Sequence, residues 1–161
     1  MGLKITIISV GKIKEKYLLL GIDEFSKRLK RFCQLELIEV KDEPIPERAS
    51  QKEMLLIQKT EESRILNKLA ANTYVIATDI DGQQMTSDAL AAECENLMTY
   101  GKNHLTFLIG GSLGLSETMK AKAHLKLSIS KMTFPHQLFK LLLLEQIYRA
   151  FKINTNEKYH K

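Results

Sequence analysis

The feature that most constrains this chain is residues 136–152, which read HQLFKLLLLEQIYRAFK. The stretch contains neither proline nor glycine, and Pro135 stands directly before it, where a helix has no partner for the amide hydrogen that proline lacks. Its four consecutive leucines are placed at steps of about 100° around a helix and therefore point to all of its sides. Such a helix must be covered all round. The pattern predicts a central core helix and suggests, as a sharper hypothesis, an interface with another subunit.

Polar residues in the same stretch limit what this helix can be. A transmembrane helix needs about 20 nearly uncharged apolar residues, and Lys140, Glu145 and Arg149 interrupt the apolar run. The helix is therefore not expected to span a membrane. On a helix that otherwise favours burial, Glu145, Gln146 and Arg149 predict paired charges or a contact between subunits.

Composition and charge narrow the class of protein. We expect a single domain over residues 1–161, and 44% hydrophobic with 27% charged residues is typical of a folded protein. One lysine precedes the first apolar run and no small-residue cleavage pattern is present, so we expect no secretory signal and a cytoplasmic location. The net charge of +5 fits an anionic partner such as RNA, although modestly basic proteins serve many functions. Cys33 and Cys94 form no CxxC pair and have no histidine at metal-ligand spacing, which predicts buried thiols and no metal site.

Short β-branched runs separated by helical patterns predict an α/β fold, with a mostly parallel sheet flanked by helices. The run KITIISV at residues 4–10 does not alternate and predicts a strand covered on both faces, whereas LELIEV at residues 35–40 largely alternates and predicts an edge strand. Further strands are predicted at residues 74–78, 105–109 and 125–129, with a turn at Asp81-Gly82. Helices are predicted at residues 15–31, 50–69 and 136–152. Another is predicted to begin at a cap at Ser87 and to end at a glycine stop at Gly101, and a short helix is predicted to begin at Ser116.

The first predicted helix carries a basic cluster at each end. The clusters are Lys12, Lys14 and Lys16 at its start, and Lys27, Arg28, Lys30 and Arg31 at its end. Cations in these positions suit phosphates on two sides of a folded RNA, and they fit a solvated helix surface equally well.

A glycine-rich loop, GGSLGLSE at residues 110–117, follows the apolar run LTFLI. Three glycines between a buried strand and a helix let the backbone approach a ligand at the carboxyl end of the sheet. The loop matches neither Walker A nor GxGxxG, because it lacks the Gly-Lys-Ser/Thr sequence and follows the fourth predicted strand. A ligand-binding loop and a plain tight turn both remain open.

The chain ends in NTNEKYHK, a polar tail of the kind that is normally frayed. Its last residues are Tyr159, His160 and Lys161, an aromatic ring, a titratable ring and a cation. These groups suit stacking on a base and contact with phosphate. On these residues alone, fraying is favoured.

Four segments of the chain carry a family resemblance: KITIISVGKIKEKY, FLIGGSLGL, LSISKMTFPHQLFKLLLLEQIYRAFKI and the closing YHK. They resemble the ribosomal RNA large subunit methyltransferase H family of SPOUT methyltransferases over essentially the whole chain. The resemblance implies an α/β domain whose C-terminal segment is threaded into a deep trefoil knot, S-adenosylmethionine as cofactor, and a homodimer. It also implies methyl transfer to N3 of a pseudouridine in 23S rRNA of the assembled ribosome.

The resemblance further implies a set of cofactor-binding residues in three strand-end loops of the sheet. They are Thr78, Gly110, Ile129, Ser130, Lys131, Met132, Thr133 and Phe134. The family commonly has an aliphatic residue in place of Thr78, where a backbone contact would survive. It commonly has an arginine in place of Lys140, and lysine lacks the planar bidentate geometry of that group.

Methylation of N3 also needs a group that accepts the imide proton. The candidates are His136, beside the cofactor loop, and His160 on the tail, whereas His104 and His124 are expected to be structural. A His136 that only caps its helix fits equally well. The resemblance implies contacts to RNA from Tyr159, His160, Lys161 and Arg149. Two other classes remain as alternatives, a NAD-binding α/β enzyme and a ribosome-binding factor without catalysis.

Overall fold

A computed structural model describes residues 2–160 of the chain. Its strands are β1 (Leu3–Val10), β2 (Cys33–Val40), β3 (Tyr74–Gln84), β4 (His104–Ile109) and β5 (Leu125–Ser128). They form one sheet in the order β2-β1-β4-β3-β5, and every neighbouring pair is parallel. β1 is almost wholly buried inside the sheet, and β2 forms an edge whose residues partly alternate between buried and exposed, so both predictions are confirmed.

Helices cover both faces of this sheet, which confirms the predicted α/β fold. They are α1 (Lys16–Leu29), α2 (Gln51–Lys68), α3 (Ser87–Thr99), α4 (Glu117–Lys122) and α5 (His136–Asn154). Because successive strand residues point to opposite faces, Ile7 packs into the core under α1, α3 and α5, whereas Ile8 packs into the core under α2 and α4. The trefoil knot implied by the resemblance stays a prediction.

Of the two predictions made for the ends of α3, the one at its end is confirmed and the one at its start is wrong. Gly101 adopts a φ of +85° just after the helix, which confirms the predicted glycine stop. The cap at the start is Thr86, whose hydroxyl accepts a hydrogen bond from the Ala89 amide at 3.0 Å. The cap predicted at Ser87 is wrong because the Ser87 hydroxyl donates instead to the side-chain oxygen of Gln146.

α5 is the central core helix that its four leucines predict. Each of its residues is buried or half-buried within a single chain, mainly against α1, α3 and the sheet. Lys140 is only 3% exposed; its ammonium group donates to the Ser9 hydroxyl at 3.1 Å and lies 3.7 Å from a carboxylate oxygen of Glu39. Arg149 and Glu145 form an ion pair at 2.6 Å, which confirms the predicted charge pairing. No helix within residues 2–160 is long and apolar enough to cross a membrane.

β3 is longer than predicted, and the turn expected at Asp81-Gly82 is wrong. Thr78 and Gln83 both pair with Leu127 of β5, so the four residues between them bulge out of the ladder while the strand continues. The Asp-Gly pair therefore supplies the tight backbone of a bulge rather than a reversal of the chain.

Candidate functional site

A cavity of about 690 Å³ opens at the carboxyl ends of β3, β4 and β5. The bulged part of β3 and the loops after β4 and β5 form its walls, and the start of α5 closes one side. The carboxyl ends of parallel strands meet at one edge of a sheet, so loops that are far apart in sequence come together here. The volume falls within the range of about 300–1,000 Å³ that is typical of small-molecule sites.

The loop after β4 is a tight turn that also lines the cavity. The amide of Gly114 donates to the carbonyl oxygen of Gly111 at 2.9 Å, and Gly114 has a φ of +76°. The chain returns so closely on Gly110 that an added Cβ would lie 2.5 Å from the carbonyl carbon of Gly114 and 2.6 Å from the amide nitrogen of Leu115. Only glycine fits at position 110 without a shift of this backbone. The tight-turn interpretation is confirmed, and the same loop borders the space for a ligand.

β3 contributes Thr78, which lies just before its bulge, and an ion pair that was not predicted. The Thr78 hydroxyl donates to the carbonyl oxygen of Leu108 at 2.7 Å, so this side chain holds β3 to β4. The Asp79 carboxylate lies 3.3 Å from the ammonium group of Lys120, and the two side chains are 8% and 18% exposed. Both line the cavity. The position of Asp79 at a strand end was a usable sequence signal, whereas nothing local reveals that α4 brings Lys120 beside it.

The loop after β5 borders the cavity along most of its length. The Ser130 hydroxyl accepts a hydrogen bond from the Met132 amide at 2.9 Å and bends the loop, which leaves Met132 75% exposed. The residues of the implied cofactor set that line the cavity are Thr78, Gly110, Ile129, Ser130, Met132, Thr133 and Phe134. Lys131 lies outside it and borders a separate surface recess with Asp81 and Gln84.

His136 stands between the main cavity and a smaller one of about 150 Å³. Its Nε2 atom lies 3.4 Å from the place of a Cβ on Gly11, so the ring rests against the loop that follows β1. Pro135 occupies the N-cap position of α5, and no side-chain hydrogen bond caps that helix. The interpretation of His136 as a helix cap is therefore wrong.

The smaller cavity is acidic. Asp42, Glu43 and Glu61 line it together with His136. Glu61 is 5% exposed and accepts a hydrogen bond from the Glu43 amide at 2.9 Å. Burial raises the pKa of the Glu61 carboxyl, because the charged form loses its hydration. The His136 ring thus lies between the acidic side chains of the smaller cavity and the main cavity.

The C-terminal tail is docked on α5, so the prediction of fraying is wrong for Tyr159 and His160. The Tyr159 hydroxyl donates to a Glu145 carboxylate oxygen at 2.8 Å. The Arg149 guanidinium lies over the Tyr159 ring, 4.7 Å from its centroid, and a guanidinium nitrogen is 3.1 Å from His160 Nδ1. The prediction for Lys161 falls outside the described residues.

One chain does not bring the two candidate histidines together. Arg149, which contacts His160, follows His136 by about 13 residues along α5, a distance of roughly 20 Å at the helical rise. The tail residues and the cavity residues therefore lie towards opposite ends of the same helix.

The other histidines and both cysteines have the structural surroundings that were predicted. His104 Nε2 lies 2.9 Å from a threonine hydroxyl of β1, and His124 Nδ1 accepts a hydrogen bond from the Val75 amide at 2.9 Å. Burial raises the pKa of the Cys33 and Cys94 thiols to about 11 and about 12. Among residues 2–160, no group of three or more His, Cys, Asp or Glu side chains is arranged to hold a metal ion.

The chain is similar to known methyltransferases over its whole length. The family model described as "Predicted SPOUT methyltransferase" matches residues 3–160. The chain is 54% identical over 159 residues to Ribosomal RNA large subunit methyltransferase H 1 of Clostridium perfringens (strain SM101 / Type A), and equally to Ribosomal RNA large subunit methyltransferase H of Clostridioides difficile (strain 630); each alignment covers 99% of this chain and 100% of the relative.

Two solved structures share the fold. A methylase family protein from Neisseria gonorrhoeae matches with a TM-score of 0.56 at 11% identity, covering 99% of this chain and 87% of that one. A methylase family protein from Haemophilus influenzae Rd KW20 matches with a TM-score of 0.50 at 15% identity, covering 98% and 70%. At these identities the likeness bears on the fold alone.

Proposed function

This chain belongs to the SPOUT methyltransferase family, among the ribosomal RNA large subunit methyltransferase H proteins, and from that premise we propose that it methylates N3 of a pseudouridine in 23S rRNA. The proposed methyl donor is S-adenosylmethionine and the proposed substrate is the assembled ribosome in the cytoplasm. The observation that supports the proposal most is the cavity at the carboxyl ends of β3, β4 and β5, which is bordered by all but one of the residues that the family resemblance implies for the cofactor.

The cavity suits S-adenosylmethionine in size and chemistry. Its volume of about 690 Å³ is large enough for a nucleoside with an amino-acid arm. Leu127, Ile129 and Phe139 provide apolar surface for the adenine ring, and the backbone of the two loops offers hydrogen-bond donors and acceptors. The Asp79 and Lys120 side chains add one negative and one positive group, which can meet the hydroxyl, ammonium or carboxylate groups of such a ligand.

S-adenosylmethionine supplies a methyl group that is activated by its positively charged sulfur. In the proposed reaction the N3–C bond forms as the C–S bond breaks, S-adenosylhomocysteine leaves, and the N3 proton passes to a base or to water. His136 is the proposed acceptor because its ring borders the cavity. Most of the remaining acceleration is expected from holding donor and base in line.

We also propose a homodimer in which the tail of one copy completes the cavity of the other. α1 exposes 68% of Tyr17 and 71% of Leu20. Both residues precede Gly21 on α1, where an added Cβ would lie 3.0 Å from the Leu141 side chain of α5. Exposed apolar residues beside a largely apolar helix are typical of a protein interface. The residues that would then contact RNA at the shared site are Arg149, Tyr159, His160 and Lys161.

The reaction is tested by incubating labelled S-adenosylmethionine with ribosomes that lack the modification and locating the label by mass spectrometry. We expect a single methylated pseudouridine in the large-subunit RNA. Label on another nucleotide would overturn the proposed substrate. Binding of NAD but not of S-adenosylmethionine would overturn the proposed donor.

Mixing two inactive variants tests the shared site. A variant without residues 159–161 is expected to bind S-adenosylmethionine normally but to lose methyl transfer, and His136→Ala is expected to lose transfer as well. A mixture of the two should regain part of the activity, because one mixed site then has both an intact histidine and an intact tail. Full activity of the tail-less form would contradict the role of the tail, and a mixture that stays inactive would contradict its action between copies.

A further inference from the structure

The loop after β1 and the first residue of α1 carry three lysines that have no ion-pair partner within residues 2–160. Lys12, Lys14 and Lys16, which we name the loop lysine cluster, are all exposed. Glu15 lies among them, but its carboxylate accepts a hydrogen bond from the backbone amide of Lys14 at 3.3 Å and not from a lysine ammonium group. Three mobile cations are therefore available to an anionic partner at this loop.

The basic cluster at the other end of α1 is different, because the protein neutralises most of it. Its ion pairs are Lys27 with Asp23 at 3.0 Å, Arg28 with Glu24 at 2.8 Å and Arg31 with Glu157 at 3.0 Å. A cation with a carboxylate beside it attracts a phosphate less strongly, because the negative charge offsets its own. The two clusters that look alike in the sequence are thus unequal in the structure.

Position separates the two clusters as well. Gly11, directly before Lys12, rests against the His136 ring at the rim of the main cavity. α1 begins at the same edge of the sheet and runs away from it for 14 residues, which is roughly 21 Å at the helical rise. Only the loop lysine cluster lies on the side from which a nucleotide would enter the cavity.

We propose that the loop lysine cluster binds the RNA phosphates that flank the target nucleotide, and that the cluster at the end of α1 does not. The inference rests on the proposed function, since it names where the RNA substrate of that same site is held. Lysines recognise phosphate as point charges without reading sequence, so this contact sets the orientation and affinity of the RNA rather than the choice of base.

Two triple variants that remove the same charge test the inference. The first replaces Lys12, Lys14 and Lys16 by glutamine. The matched control replaces Lys27, Lys30 and Lys102 by glutamine; these three lysines are exposed near the amino ends of the strands, away from the cavity. Ribosome binding is measured by co-sedimentation over a range of salt concentrations, and KM for ribosomes by methyl transfer. The cluster variant should bind ribosomes about tenfold more weakly or worse, and the slope of log K against log salt should fall by about 2 to 3. The control should change little, and S-adenosylmethionine affinity and oligomeric state should be unchanged in both.

The outcomes are distinguishable. An equal loss of ribosome binding in both variants would show an effect of net charge alone, and no loss in the cluster variant would exclude the contact; either result overturns the inference. Absence of ribosome binding by the wild-type protein overturns it too. Wild-type ribosome binding without methyl transfer would instead refute the proposed reaction, while the comparison of the two variants still decides the role of the lysines.

Discussion

Gly110→Ala is the sharpest test of the cavity as a cofactor site. The added methyl group would lie 2.5 Å from the Gly114 carbonyl carbon, whereas ordinary contact begins at 3.4 Å, so the loop backbone must move by about 1 Å. Overpacking of this kind costs about 1–3 kcal/mol of folding stability. Both segments that would have to move line the cavity, and the displacement is expected to weaken S-adenosylmethionine binding by about tenfold or more, which equals ~1.4 kcal/mol.

Gly101→Ala is the matched control for this experiment. Position 101 has a φ of +85° but open space around it, so an added methyl group strains the backbone without displacing a neighbour. A non-glycine residue in that conformation costs about 1–3 kcal/mol, similar to the cost at position 110, but far from the cavity. Urea denaturation measures the loss of stability in both variants, and isothermal titration calorimetry measures cofactor affinity. A folded Gly110→Ala protein that binds S-adenosylmethionine as tightly as the Gly101→Ala protein would refute the assignment of this loop.

Three further predictions concern charges and thiols elsewhere. Lys140→Met is expected to leave the free energy of unfolding equal or higher at pH 7, whereas Lys140→Ala should lower it by ~2–4 kcal/mol. Burial lowers the pKa of Lys140, so the unfolded chain binds this proton more tightly than the folded chain does. Urea denaturation should therefore show the stability of the wild-type protein rising relative to that of the Met variant as the pH approaches 10.5. Hydrogen bonds from Thr155, Lys152 and Arg31 lower the pKa of Glu157 to about 2, so Glu157→Gln should loosen the tail at pH 7. The NMR signals of Tyr159 should then differ between the variant and the wild-type protein. That difference should fade as the pH falls from 4.5 towards 2, because Glu157 of the wild-type protein becomes protonated. Since burial raises the pKa of Cys33 and Cys94 to about 11 and about 12, a thiol reagent at pH 8 should label the native protein no faster than it unfolds, and rapid labelling would contradict their burial.

Much of the fold was predictable because its signals are local. β1 and β4 are rich in apolar and β-branched residues, and Gly101 ends α3 by a backbone conformation that the residue type alone favours. The error in β3 has a different origin. Asp81-Gly82 has the composition of a turn, but pairing with β5 resumes after it, and that partner strand lies more than 40 residues away in sequence. A local rule therefore assigned a reversal of the chain where a distant strand enforces a bulge.

The candidate site was predictable to the extent that it follows from strand order. The carboxyl ends of parallel strands share one edge of the sheet, so the segments after Thr78, Ile109 and Ser128 were expected to be neighbours. The charges inside the site do not follow from this rule. Lys120 reaches the main cavity from α4, and Glu61 reaches the smaller cavity beside His136 from α2, in both cases through the packing of a helix that looks ordinary in sequence.

The length of α5 sets a limit on how one chain can use its tail. From His136 to Asn154 the helix extends by about 27 Å, whereas the six residues from 155 to 160 reach at most ~20–22 Å even when fully extended. Release of the tail from Glu145 and Arg149 would therefore not carry His160 back to the start of its own helix. A tail from another copy of the chain is not subject to this limit, and the mixed-variant experiment tests whether His136 and His160 act together in that way.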